Sequence, residues 1–289
     1  MRIAIYGNQY QNEHLADVAA FIDELSRRNF WIEMDSAFFN YLCRVLPAPP
    51  PAQNIIDGGQ FSAALALSIG GDGTFLRTAE WVADKAIPIL GINTGHLGYL
   101  AAVPISEAVS MVEDVVAGRC QIEERALLRI EVKGHEIEQW PYALNEVAVL
   151  KAETASMITV KARIAGRELA TYLADGLIVS TPTGSTGYNL SVGGPIVEPT
   201  APNWVISPIS AHSLTMRPLV VSSDAVIDLL TTSRAQSYRV SIDGRAVTLP
   251  AGTAIRLSRA PFAIRVVQRQ GHTFASTLRH KLLWGLDSR

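Results

Sequence analysis

The sequence predicts an α/β domain built on a parallel sheet, followed by an all-β domain of sandwich type. Three observations predict it. Strand-like and helix-like periods alternate through the first 120 residues. From residue 121 onward, short β-prone runs follow one another with turn signals between them. No long helical period interrupts those runs before residue 265.

Arg2–Tyr6 reads as an opening strand. Asp17–Arg28 reads as an amphipathic helix with Val18, Phe21, Ile22 and Leu25 on one face. The proline-rich run Leu46–Ala52 excludes helix and central strand and is expected to be a mobile loop. Ala63–Ile69 and Ile87–Ile92 are continuous apolar runs, as a strand buried on both faces requires. Phe75–Ala83 lies between them and reads as helix, and Ser106–Ala117 is a further helix closed by Gly118. The β-prone runs are Leu127–Lys133, Ala143–Leu150, Met157–Ile164, Leu177–Ser180, Ala225–Leu230, Tyr238–Ile242 and Ile264–Gln268, with turns at Ala165-Gly166 and Asp243-Gly244. A last helix is expected over Thr273–Trp284, with Phe274, Leu278 and Leu282 at steps of four. There is no internal repeat.

Composition narrows the function. Hydrophobic residues make up 48% of the 289 positions and charged residues 18%, so real cores can form and a disordered chain is excluded. The 25 basic and 27 acidic residues leave a formal charge of -2, which gives no basic excess for a nucleic-acid backbone. Mean hydropathy is positive, and residues 176–216 carry a single full charge, Glu198. That stretch is broken by Gly and Pro and cannot span lipid as a helix, so no membrane role is expected. The apolar run at the N-terminus is too short for a secretory signal, and Cys43 and Cys120 have neither metal nor redox spacing. A cytoplasmic location is expected.

Three clusters carry chemistry. Gly70-Gly71-Asp72-Gly73-Thr74 follows a buried strand and precedes a helix, where glycines admit a close ligand and a helix N-terminus favours phosphate. Asp72 repels phosphate unless it meets a divalent cation or takes a proton from an attacking hydroxyl; a tight turn capped by Asp is the alternative. The loop is neither a Walker A sequence nor a dinucleotide fingerprint. Asn145-Glu146 heads a strand and can grip a base edge and two sugar hydroxyls, or be a plain strand end. Asp175–Tyr188 joins a strand to a loop dense in hydroxyls and glycine, and the uncharged run Ser191–Val197 continues it.

These clusters, with Gly193-Gly194-Pro195 and Pro208–Pro218, resemble the motif set of NAD kinases over essentially the whole chain. Gly-Gly-Asp-Gly-Thr alone is shared with diacylglycerol and sphingosine kinases. Thr-Pro-Thr-Gly-Ser-Thr-Gly-Tyr beside Asn-Glu is far more selective. The resemblance implies transfer of the γ-phosphoryl of ATP to the 2′-hydroxyl of the adenosine ribose of NAD. It also implies a Rossmann-like first domain, 1–120 with the returning segment 268–289, and a β domain over 121–267. In that reading Asp72 is the general base, Gly71 and Gly73 approach phosphate, and Arg77 meets phosphate or forms a solvated helix face. Asn145 and Glu146 hold the ribose and adenine. Asp175 lies at a nucleotide subsite, within one chain or across a subunit interface. Ser185, Thr186, Gly187, Tyr188, Asn189, Leu190 and Ser191 line the adenine and its neighbourhood, and Asp243 belongs to a turn near the site. Leu173 stands where the family often has a polar or basic residue, near the nicotinamide end.

Mg²⁺ or Mn²⁺ is expected to arrive with ATP, since no protein cage is evident in the sequence. A homodimer or homotetramer is also implied, with 176–216 suited to its interface. The alternatives are a lipid kinase using the same glycine loop and a non-catalytic NAD sensor; a dehydrogenase is weaker, lacking its glycine fingerprint.

Overall fold

The structure, a computed structural model, describes residues 1–9, 13–95, 98–137, 140–153 and 156–285. The other positions, including 286–289 at the end of the segment assigned to the first domain, lie outside the described residues. The chain divides into two compact units, Met1–Glu124 with Ile264–Arg289, and Arg125–Ala263.

The first unit is α/β. Its parallel strands lie in the order Ile89–Asn93, Leu65–Ile69, Arg2–Gly7, Trp31–Asp35, Asn54–Ile56. Val266 of the strand Ala254–Arg269 pairs in parallel with Ile89 on the other side. Leu65–Ile69 is buried at every position because helices cover both faces of the sheet. The helix Leu15–Arg27 turns Val18, Phe21, Ile22 and Leu25 onto the core, the stripe its period dictates. The helix Ser36–Val45 starts where Asp35 accepts the Phe38 amide at 3.0 Å. Helices Asp72–Val82 and Ala108–Val116 complete the main part, and Phe274–Leu282, capped by Thr273, closes the chain.

The proline-rich segment is neither helix nor strand, and it is anchored at its two ends while Pro47, Ala48 and Pro49 are exposed. The Leu46 amide donates to Leu42 at 2.9 Å, and Leu46 and Ala52 pack against the core.

The second unit is an antiparallel β sandwich. One sheet runs Leu219–Ser222, Asn203–Ile209, Gly176–Ser180, Glu146–Lys151, Ser237–Ile242, Arg245–Pro250. The facing sheet includes Arg167–Ala174, Ile158–Ile164, Ile227–Thr232 and the start of Ala254–Arg269. Leu177, Val179, Trp204, Tyr238, Val160 and Leu229 meet between them. The low charge of 176–216 is therefore largely explained inside the unit. Gly176–Ser180 is wholly buried, as is the middle of Asn203–Ile209.

Candidate nucleotide and catalytic sites

In the first unit the buried strand Leu65–Ile69 delivers the chain to the glycine loop at the carboxyl end of the parallel sheet, where open α/β sheets bind ligands. Gly70 has φ +152, a conformation that favours glycine. Gly71 and Gly73 differ from it. Neither has positive φ, and a Cβ on either would meet nothing within 4 Å. The fold does not require glycine there, so the missing side chains serve the approach of something else. Gly71, Gly73, Thr74 and Arg77 line a pocket of about 470 Å³ together with Tyr6, Gly7, Asn8 and Gln9. The first amides of the helix Asp72–Val82 lack carbonyl partners within the helix and carry its positive dipole end. The Tyr6 phenol has its pKa raised chiefly by burial, then by the charge of Asp35, with the nearby Arg77 opposing.

Asp72 points its carboxylate at the loop Gly98–Ala101. Oδ2 accepts the Tyr99 amide at 2.8 Å, and Oδ1 accepts those of Leu100 and Ala101 at 2.9 Å each. A Cβ on Gly98 would overlap Oδ1, so the approach depends on that glycine. A carboxylate offers about four acceptor positions; among the described residues the three amides fill three and leave one on Oδ2.

In the second unit, Asp243 and Gly244 form the hairpin turn between Ser237–Ile242 and Arg245–Pro250, with φ +48 and +85. The Asp243 carboxylate accepts the amides of Leu144, Asn145 and Glu146 at 2.6, 2.9 and 3.0 Å. Burial raises its pKa, opposed by those three amides and by Arg245. Glu146 opens the central strand Glu146–Lys151. Its pKa is pushed up to about 7, first by burial and then by Asp243, with the Tyr188 amide opposing. Glu146 Oε2 is buried and has no hydrogen-bond partner among the described residues. Such an acceptor is costly until a donor reaches it, and a sugar hydroxyl is a suitable donor.

The hydroxyl-rich loop is a 3-10 turn, Thr183–Thr186, running into a short helix, Tyr188–Ser191. Thr181 ties its start to the Leu144 carbonyl at 2.5 Å and to the Gly184 amide at 3.1 Å.

Two models of ATP-NAD kinase domains match the chain, the N-terminal domain over residues 52–120 and the C-terminal domain over 144–269. An NAD kinase of Bacteroides fragilis is 43% identical over the full length of both chains. One of Porphyromonas gingivalis is 44% identical, covering all of this chain and 99% of its own. The chain belongs to the NAD kinase family. An NAD kinase of Archaeoglobus fulgidus, solved in complex with ATP, is 26% identical with TM-score 0.72 over 96% of each chain. A yeast NADH kinase solved with NADH is 22% identical with TM-score 0.88, covering all of this chain and 89% of its own, and that likeness speaks for the fold alone.

Seen as an NAD kinase, the chain gathers its expected residues into groups. Gly71, Gly73 and Arg77 share one pocket, while Asn145, Glu146, Tyr188 and Asp243 form another cluster. Two of the expected side chains, Ser185 and Asn189, are hydrogen-bonded within the scaffold. Ser185 Oγ donates to the Val197 carbonyl at 3.3 Å and accepts its amide at 3.0 Å. Asn189 is fully buried, donating to the Ser185 and Pro195 carbonyls and accepting from Ser207 at 2.6 Å. Asp243 accepts the amides of Leu144, Asn145 and Glu146 and so holds the head of the strand Glu146–Lys151 from the neighbouring turn. Thr186 bonds back to the Thr183 carbonyl at 3.4 Å, Gly187 precedes the short helix as its cap, Leu190 is half-buried, and Tyr188 and Ser191 are exposed. Asp175 is paired with Lys151 at 2.7 Å. Leu173 is exposed on a separate cleft that Arg234 also lines.

Sequence reasoning missed Gly98–Ala101, Tyr6, Asn8, Gln9 and Lys151. The run Gly98-Tyr99-Leu100, glycine and aromatic soon after a buried strand, was the available signal. Among the described residues no three His, Cys, Asp or Glu side chains converge as a metal cage, and no helix is long and apolar enough to cross a membrane.

Proposed function

We propose that this chain transfers the γ-phosphoryl group of ATP to the 2′-hydroxyl of the adenosine ribose of NAD, giving NADP and ADP. The observation that carries the proposal is the pocket holding Arg77 beside Gly71 and Gly73, two glycines that the fold itself does not need. A bond forms between O2′ and the γ-phosphorus as the bridging oxygen departs with ADP, and Asp72 takes the hydroxyl proton at its remaining Oδ2 position. The three amides hold that carboxylate still, and phosphoryl transfer depends mostly on such positioning.

Arg77 and the helix N-terminus neutralise phosphate charge. Glu146, ionised on binding, accepts the ribose hydroxyls, and Asn145 recognises the adenine edge. Tyr188, Ser191 and Asp175 lie at the nucleotide's periphery, with Leu173 toward the nicotinamide. A single carboxylate with one open position suits a Mg²⁺ or Mn²⁺ ion that comes with the triphosphate and keeps its own waters. The cation supplies charge neutralisation at the phosphates.

Self-association accompanies this function in the proposal. The edge strand Leu219–Ser222 exposes Leu219 and Val220, and Leu214 is 88% exposed, so the apolar surface suited to a second copy lies there. Light scattering of Val220→Lys against the parent tests it. Free cysteines at 43 and 120 fit a cytoplasmic location.

The deciding assay incubates the purified chain with NAD, ATP and Mg²⁺ and measures NADP, then repeats with NADH, with polyphosphate and with diacylglycerol as acceptor. NADP formation supports the proposal. Phosphorylated diacylglycerol with NAD untouched, or tight NAD binding with no turnover, replaces it with a lipid kinase or a sensor.

A further inference from the structure

The three amides that hold Asp72 come from one short loop, so whatever fixes that loop fixes the carboxylate. Part of the fixing is local. The Gly98 amide donates to Ala101 at 3.2 Å, and buried Asn93 donates to the same carbonyl at 3.3 Å. The first of these closes the loop around Tyr99 but does not bear on its ring, and among the described residues the Tyr99 amide is the only one on Oδ2.

A further constraint, on the Tyr99 ring, comes from the helix Phe274–Leu282. Lys281, on the helix Phe274–Leu282, places its Nζ 4.9 Å from the centroid of the Tyr99 ring, and that Nζ is buried. The helix is well anchored at its start. Thr273 accepts the Ser276 amide at 3.2 Å, and Ser276 in turn accepts the Thr273 amide at 3.3 Å. Lys281 lies in the last turn, where the negative end of the helix dipole favours its charge. Burial, and then the charge of Asp72, raise the Tyr99 phenol's pKa, so Lys281 faces a neutral ring and a cation–π contact is the relevant attraction.

We propose that Lys281 is a positioning residue for Asp72, acting through the Tyr99 ring. The ring and the amide belong to one residue. Pinning the ring under a shielded ammonium keeps the Tyr99 N–H aimed at Oδ2 and leaves that oxygen's last acceptor position facing outward. In this proposal Lys281 acts on Asp72 through the Tyr99 ring and not by direct contact. The kinetic part of this inference rests on Asp72 being the base; the geometric part does not.

The experiment uses the full chain with Lys281→Met, Lys281→Arg, Tyr99→Leu and the Lys281→Met/Tyr99→Leu double variant. Backbone hydrogen exchange over residues 98–101 is measured beside steady-state kinetics and the thermal midpoint. The expected result is exchange about 3–30-fold faster in Lys281→Met, the range a shielded cation–π contact supports, with Lys281→Arg restoring protection. The kcat falls by a similar factor, and KM for NAD and ATP stays within about twofold. Tyr99→Leu shows the same loss, and the double variant adds nothing to it. Unchanged exchange in Lys281→Met overturns the proposal. So does a double variant whose losses add, or a lowered midpoint that Lys281→Arg fails to rescue. Faster exchange with normal kcat leaves Lys281 as the loop's anchor and instead removes Asp72 from the chemistry.

Discussion

Asp72 in the first unit and Asp243 in the second are held alike, each by three consecutive backbone amides. Their settings differ. Asp243 sits in a hairpin turn, all its bonds go to the segment Leu144–Glu146, and burial raises its pKa. Asp72 begins a helix between two glycines that face open space. The same hydrogen-bond pattern therefore serves two ends. In the second unit it presents a neighbour, Glu146; in the first it steadies the carboxylate assigned, in the proposed reaction, as the base.

Substitutions can separate these roles. The largest effect is expected from Asp72→Asn, which should lower kcat by roughly 10²–10⁴, the range for a positioned general base, while calorimetry still detects NAD binding. Asp243→Asn should act on stability first. An amide side chain has one acceptor oxygen where the carboxylate has two, so buried amides of Leu144–Glu146 lose partners at about 1–3 kcal/mol, read as a lower denaturant midpoint. If the two variants give the same balance of kinetic and stability loss, the contrast between the cradles is wrong.

Glu146 sharpens the comparison through pH. Its folded pKa, about 7, lies above the ordinary value of 4.5, so the folded state favours the protonated form. The stability it contributes is full below about pH 4.5 and is lost as pH rises through about 7. Glu146→Gln should accordingly gain stability relative to the parent at pH 8 but not at pH 4. Ribose hydroxyls need the ionised form, so KM for NAD should fall by about 3–10-fold between pH 6 and 8 in the parent and stay level in Glu146→Gln. The smallest effect belongs to Gly73→Ala. Inside a helix, with nothing near the new Cβ, it should stabilise the chain by about 0.5–1 kcal/mol while raising KM for ATP. A stabilised variant with unchanged KM would falsify the ligand-approach reading of that glycine.

The sequence made the strongly periodic elements legible. The face Val18, Phe21, Ile22, Leu25 and the all-apolar run ending at Ile69 could be read because burial on one or both faces leaves a plain pattern. Trp31–Asp35 and Arg167–Ala174 could not. The first places Glu33 inside the sheet, where Arg2 pairs with it at 3.4 Å, and the second is a polar edge strand with one face exposed. The glycine loop and Asn145-Glu146 stood out as candidate chemistry because few folds need those residue types in those places. The hydrogen bonds of Ser185, Asn189 and Asp243 were not, since a hydroxyl, an amide or a carboxylate reads the same in sequence whether it meets a ligand or a carbonyl ten residues away. The hold on Asp72 escaped for a related reason: backbone amides carry no sequence signature, and only Gly98 hints at the close approach.

The most direct measurement is a crystal structure of the full chain with NAD bound. The account predicts the adenosine O2′ within about 3 Å of Asp72 Oδ2, with the amides of Tyr99, Leu100 and Ala101 still in place. An O2′ beyond about 4 Å, with both carboxylate oxygens turned wholly to the loop, would contradict Asp72 as the proton acceptor.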